Sequence, residues 1–144
     1  MPAVSCMSVS DEPALIAVAV SSSLRTNNVM KKARAFAISW IDFKKRKILS
    51  LLSGASKSRD KLKCAGVAYC PLLGAPVLND SLAYVICEKT KELETGDHTL
   101  FLGKVIGAMA SLDFDEYWNS SDYRPILYRG SSFRAPYITF PKSS

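Results

Sequence analysis

Histidine is almost absent from this chain: His98 is the only one in 144 residues. Cysteines stand at positions 6, 64, 70 and 87 without a C-x-x-C pair. With one histidine they cannot complete the usual Cys/His zinc sets, so no metal site is expected. The glycine signatures of nucleotide sites are missing as well, both G-x-G-x-x-G after a strand and G-x-x-x-x-G-K-[ST]. Any nucleotide must be held by another architecture. No long hydrophobic run occurs either. The stretch ALIAVAV at 14–20 is too short to cross a bilayer, and Asp11 and Glu12 precede it where a secretion leader needs basic residues. A cytoplasmic protein with reduced thiols is expected. Acid, finally, is scarce in one region: between Arg25 and Lys63 there are twelve basic and two acidic residues. That block is either a solvated face or a surface for an anionic partner, whether nucleic acid, a phosphorylated cofactor or an acidic protein.

What is present is apolar and evenly spread. Hydrophobic residues make up 48% of the chain and mean hydropathy is +0.06, which excludes a disordered polymer and fits one domain over residues 1–144. Short β-type runs dominate. The segments 4–10 and 14–20, separated by Asp11-Glu12-Pro13, read as two strands. Val29, Met30 and Ala33 fall at helical spacing behind Thr26, a suitable N-cap, so a short helix is expected near 27–34, followed by a strand at 35–41. Two more short helices are expected at 43–52 and 56–64, then a loop around Pro71, Gly74 and Pro76. The clearest strand pair is 81–90 with 98–109, joined by the charged turn KELETGD. The second of these strands is apolar on both faces, as in a barrel wall covered from outside. PILYRG at 125–130 reads as a last short strand or turn, and no internal repeat is found.

Two places could carry chemistry. Ser21-Ser22-Ser23-Leu24-Arg25-Thr26-Asn27 lies between a strand and a helix. Backbone N–H groups at a helix start, hydroxyls and a guanidinium together suit a phosphate monoester. The plainer reading is a serine turn with Thr26 capping the helix. His98 follows Gly96-Asp97 at a strand entrance. No nucleophile is spaced around it as in a triad, and Asp97 and His98, being adjacent on a regular strand, would point to opposite faces and not pair. On residues alone His98 is a polar group at a strand mouth. The carboxylates Asp113, Asp115 and Glu116 read as a solvent-facing loop.

The order VSCMSVSDEPALIAVAVS, SLRTNNVMKKARAFAIS, SGASKSRDKLKCAG, APVLNDSLAYVICE, GDHTLFLGKVIGA and PILYRGSSF resembles the flavin reductase-like, FMN-binding split-barrel family over nearly the whole chain. GDHTLFLGKV is the most specific block and PILYRG a second marker. The resemblance implies a mainly β fold, a six-stranded antiparallel Greek-key split β-barrel with a few short helices. It also implies a homodimer and a flavin, FMN or FAD, near the subunit interface. Ser5, Cys6, Met7 and Ser8 would line the isoalloxazine, and Ser22, Ser23, Arg25, Thr26 and Asn27 would cradle the phosphate. His98 would lie beside the flavin or the nicotinamide, orienting rather than moving a proton. Relatives begin with a further strand before the segment matched here by MPAVSCMSVS, so the usual first strand is expected to be missing; either the barrel lacks it or, the preferred expectation, the reading frame is truncated with Met1 internal. Cys6-Met7 stands where relatives often carry an aromatic and a small polar residue. The implied function is reduction of FMN or FAD by NADH or NADPH, with reduced flavin passed to a partner monooxygenase. The alternative is an FMN-binding electron carrier that does not react with NAD(P)H. A nucleic-acid-binding module rests on the basic block alone and ranks below both.

Overall fold

Apolar runs of five to seven residues broken by turn formers make strands the natural element here. The computed structural model describes residues 1, 3, 5–53, 66–111, 128–129 and 132–133. In chain order the elements are β1 (Cys6–Ser10), β2 (Leu15–Ser21), α1 (Arg25–Lys32), β3 (Ala35–Trp40), a 3-10 turn (Phe43–Lys45), α2 (Lys47–Ser53), β4 (Val67–Tyr69), β5 (Pro76–Leu78), β6 (Ala83–Thr95) and β7 (His98–Ala110). Tyr128–Arg129 (β8) and Ser132–Phe133 (β9) pair as a short hairpin, which places part of PILYRG in a strand. The expected helix at 56–64 lies outside the described residues.

One antiparallel sheet organises the molecule, in the order β1-β2-β7-β6-β3. β4 and β5 form a separate hairpin that leans on β3, where the Leu78 N–H donates to the Ser39 hydroxyl at 3.4 Å. The mainly β class and the antiparallel pairing are as expected. Among the described residues this sheet has five strands, and no pairing joins β1 to β3.

Three elements differ from expectation for physical reasons. β6 does not stop at residue 90: pairing continues from Lys91↔Leu102 to Thr95↔His98 past a bulge at Lys89/Lys91. Its charged residues read as loop, but on an exposed ribbon charge costs a strand little. The connection is therefore only Gly96-Asp97, with Gly96 at φ +62, as glycine is needed at the first central position of a type II′ turn. The helix expected at 43–52 breaks into a 3-10 turn and α2. The β4–β5 hairpin went unseen because its strands are three residues each and one carries a proline.

The core lies on one face of the sheet, where Val18, Val20, Phe36, Cys87 and Phe101 are buried together. Gly103 belongs to it: a Cβ there would stand 2.6 Å from both the Cys87 Cβ and the Phe36 ring. Nothing larger than glycine fits beneath Phe36, which explains the glycine inside GDHTLFLGKV. Burial pushes the Cys87 thiol up to about 11, so this cysteine is packing rather than a nucleophile. On β7 the apolar second face is only half covered: Leu100 and Leu102 are half-buried and Ile106 is exposed. A second cluster, Ala75, Val77 and Ile86, seats the β4–β5 hairpin. Among the described residues, no helix is long and apolar enough to cross a membrane.

Candidate functional site

The pairing of β2 with β7 builds the site. The last residue of β2, Ser21, is the register partner of the first residue of β7, His98. One residue further on, the Ser22 N–H donates to the Asp97 carbonyl at 2.8 Å. The chain then turns tightly: the Ser21 and Ser23 hydroxyls are 3.0 Å apart, and the Leu24 N–H donates to the Ser21 carbonyl at 3.1 Å before α1 begins. Serine turn, helix start and histidine thus share one end of the sheet.

That helix start is open. Leu24 is the N-cap, extended at φ −85 and ψ 138, and no side chain caps the helix. Thr26 is not the cap that the spacing suggested. The extended backbone of Leu24 starts the helix two residues earlier and puts Thr26 inside its first turn. The first turn carries Arg25 and no acid. A positive helix end, an exposed guanidinium and the exposed Ser22 and Ser23 hydroxyls therefore face solvent together. This donor set fits a phosphate monoester.

Asn27, expected among the phosphate donors, is turned inward. It is 2% exposed, and its Nδ2 donates to the Val20 carbonyl at 3.0 Å and to the Thr99 Oγ1 at 2.9 Å. Both donor hydrogens of the amide are spent within the protein.

His98 is half exposed, and its Nδ1 lies 2.7 Å from the Asp97 Oδ1. The expectation that these two would not pair is overturned. Asp97 sits in the two-residue turn rather than on the strand, so strand alternation does not govern it. A carboxylate only accepts, so the bond places the proton on Nδ1 and leaves Nε2 for a neighbouring group. The same bond holds the Asp97 carboxyl below its usual range. Asp97 is fixed in turn through its carbonyl by Ser22. The local signal for this orienter was present, as Gly-Asp before a strand is turn chemistry.

Ser5, Cys6, Met7 and Ser8 are all exposed on or beside β1. The Ser5 carbonyl accepts from the Ala19 N–H at 3.1 Å, and Cys6, Met7 and Ser8 face Val18, Ala17 and Ile16. At about 3.3 Å per residue, Ser5 lies close to the serine turn, whereas Ser8 is roughly 17 Å along the sheet from it. The segment runs from the serine turn outward, a layout suited to an elongated ligand. Desolvation raises the Cys6 thiol above its usual range. In the basic block, Lys31 pairs with Glu94 at 2.7 Å and Lys45 approaches Asp80 at 3.7 Å, while residues 54–63 lie outside the described part.

Comparison with known proteins places these residues in a wider context. The flavin reductase like domain model matches residues 1–135. An uncharacterised protein of Aeropyrum pernix is 30% identical over 133 residues, covering 89% of this chain and 51% of its own length. The reductase component of a 4-nitrophenol 4-monooxygenase/4-nitrocatechol 2-monooxygenase of Rhodococcus opacus is 30% identical over 103 residues, covering 72% of this chain and 54% of that protein. The chain thus spans about half the length of these curated relatives. Among solved structures, an NADH:FAD oxidoreductase of Streptomyces globisporus superposes with a TM-score of 0.74 at 26% identity, over 93% of this chain and 76% of its own.

Proposed function

The chain belongs to the flavin reductase like domain family, and from that premise we propose that it binds FMN or FAD and catalyses reduction of the flavin by NADH or NADPH. In this reading it works in the cytoplasm as a homodimer and supplies reduced flavin to a partner monooxygenase. One observation carries the proposal: the open start of α1, the Ser21–Ser23 turn and His98 are tied into a single site by the Ser22–Asp97 bond.

Each residue then has a physical task. Ser22, Ser23, Arg25 and Thr26 bind the phosphate through hydroxyls, a guanidinium and the positive helix end. Ser5 to Ser8 lie where β1 can flank the rest of an elongated cofactor. Asp97 fixes the tautomer and direction of His98, whose free Nε2 orients the ring system or the carboxamide of the reductant and moves no proton in the hydride step. When bound, the flavin supplies the hydride-accepting chemistry. The names of the Rhodococcus and Streptomyces relatives support the reading, since one is a monooxygenase's reductase component and the other an NADH:FAD oxidoreductase.

The test is the visible spectrum of the purified protein incubated with FMN and then with NADH or NADPH. Bound flavin that bleaches on adding either nucleotide, with aerobic turnover raised by free flavin, is the expected result. Flavin that binds but is bleached by neither would leave an electron carrier. Absence of flavin binding would end both readings.

A further inference from the structure

Asn27 and Thr99 are the two polar residues buried among the described residues, and they are bonded to each other. Burying an amide and a hydroxyl in a β core is unfavourable unless their geometry is satisfied, so such pairs specify position. Here the position is informative. The Asn27 amide bridges Val20 and Thr99, which face each other across the β2–β7 pairing, and the next pair in the same register is Ser21↔His98. The third residue of α1 is thereby fastened to the sheet one step from the site. Ser21 and His98 stand at that step, and Arg25 and Thr26 are two residues and one residue from the fastening point.

We infer that Asn27 and Thr99 are positioning residues that set the distance between the phosphate end of the site and His98, and that neither touches the ligand. Thr99 is fully buried and cannot reach a bound anion. It acts only through Asn27 and the helix that Asn27 carries. Thr99 also follows His98 directly on β7, with the opposite facing that strand alternation imposes. One dipeptide thus presents the histidine outward and the anchor inward, and moving the anchor moves the helix relative to the imidazole. The inference rests on the proposed phosphate cradle and predicts a selective effect: losing the anchor weakens recognition of the phosphate and spares the ring.

The experiment compares FMN with riboflavin, which lacks the phosphate, by quenching of flavin fluorescence in wild type, Thr99→Val and Thr99→Ser. Thermal midpoints are taken on the same samples. Thr99→Val keeps the shape and removes the acceptor, so FMN affinity should fall about tenfold and riboflavin affinity less than about twofold, in line with losing one buried hydrogen bond. Thr99→Ser, which restores the hydroxyl, should keep the wild-type preference for FMN. Should Thr99→Val fail to fold, Asn27→Gln retains the amide but displaces it by one methylene, and is expected to show the same selective loss. An unchanged FMN-to-riboflavin preference in Thr99→Val (or in Asn27→Gln in its place), or both affinities lowered equally there, overturns the inference while flavin binding by wild type keeps the proposed function. Wild type that binds neither flavin removes the proposed function and the positioning role with it.

Discussion

The two ends of helix α1 are treated in opposite ways. At its C-terminus three of the last four carbonyls are bonded: the Ala33 N–H reaches the Val29 and Met30 carbonyls, and the Lys89 ammonium donates to the Met30 carbonyl at 3.0 Å and the Lys31 carbonyl at 2.7 Å. Lys89 is balanced by the Glu92 carboxylate at 2.9 Å, and Lys31 and Lys32 add positive charge to the last turn. At the N-terminus there is no capping side chain and no acid. A helix needing only stability would be capped at both ends, because either terminus leaves backbone groups without helical partners. This one has its negative end neutralised and its positive end left without a capping side chain. Under the proposed function, the difference assigns binding to one terminus and stability to the other.

The largest test of that division is Lys89→Met. The side chain is only 17% exposed, so solvent does little to screen it. Methionine keeps the apolar stem and removes the charged donor from two terminal carbonyls, which should cost about 2–3 kcal/mol of unfolding free energy. The backbone bond from the Lys89 N–H to the Arg34 carbonyl, 2.8 Å, is unaffected by the change. Urea unfolding measures the loss, and a cost below about 0.5 kcal/mol, the scale of an ordinary surface substitution, would show that the closed end is not what holds the helix.

How far sequence reading went follows the same line between local and distant causes. β2, β3 and the β6–β7 pair were legible because apolar periodicity and turn residues act within a few positions. The extension of β6 to Thr95 was not, since KELET is charged and its pairing depends on β7 being alongside. The start of α1 was misplaced because Thr26 is an acceptable cap in isolation, while the Ser22–Asp97 bond commits the chain to turn earlier. The serine turn and His98 each drew notice alone, but their adjacency comes from the β2–β7 register, a contact across 77 positions between Ser21 and His98 that no local pattern encodes. Asn27 shows the limit most clearly. Its residue type suits a phosphate ligand, and only the buried Thr99 opposite shows that its amide is already occupied.

A second test converts the open end into a closed one. Leu24 is exposed and has the extended backbone of an N-cap, so Leu24→Asp places a carboxylate where it can accept from the first-turn N–H groups. Stability should rise by about 1 kcal/mol, as for other caps. FMN affinity should fall at least about fivefold, because the new charge occupies the donors and repels the phosphate. Thermal unfolding and fluorescence titration on one sample read both quantities. A more stable variant that binds FMN as well as wild type would mean that the open terminus is not the anion site.

The smallest expected effect sharpens the closed end by subtraction. Lys31 also reaches a carboxylate, Glu94 at 2.7 Å, but both charged heads stand in solvent even though the lysine stem is partly covered. The bond holds the Glu94 carboxyl below its usual range and the Lys31 amine above its own. The contribution of Glu94 is therefore present above the ordinary carboxylate range and lost as pH falls through its depressed value; that of Lys31 is present below the ordinary amine range and lost as pH rises through its raised value. Between those limits the pair is formed, yet water and salt screen it. Glu94→Gln at neutral pH should leave the urea midpoint unchanged at physiological salt. If it costs as much as Lys89→Met, the distinction between a sheltered amine and an exposed ion pair fails, and the closed end is held by charge in general rather than by the one lysine aimed at its carbonyls.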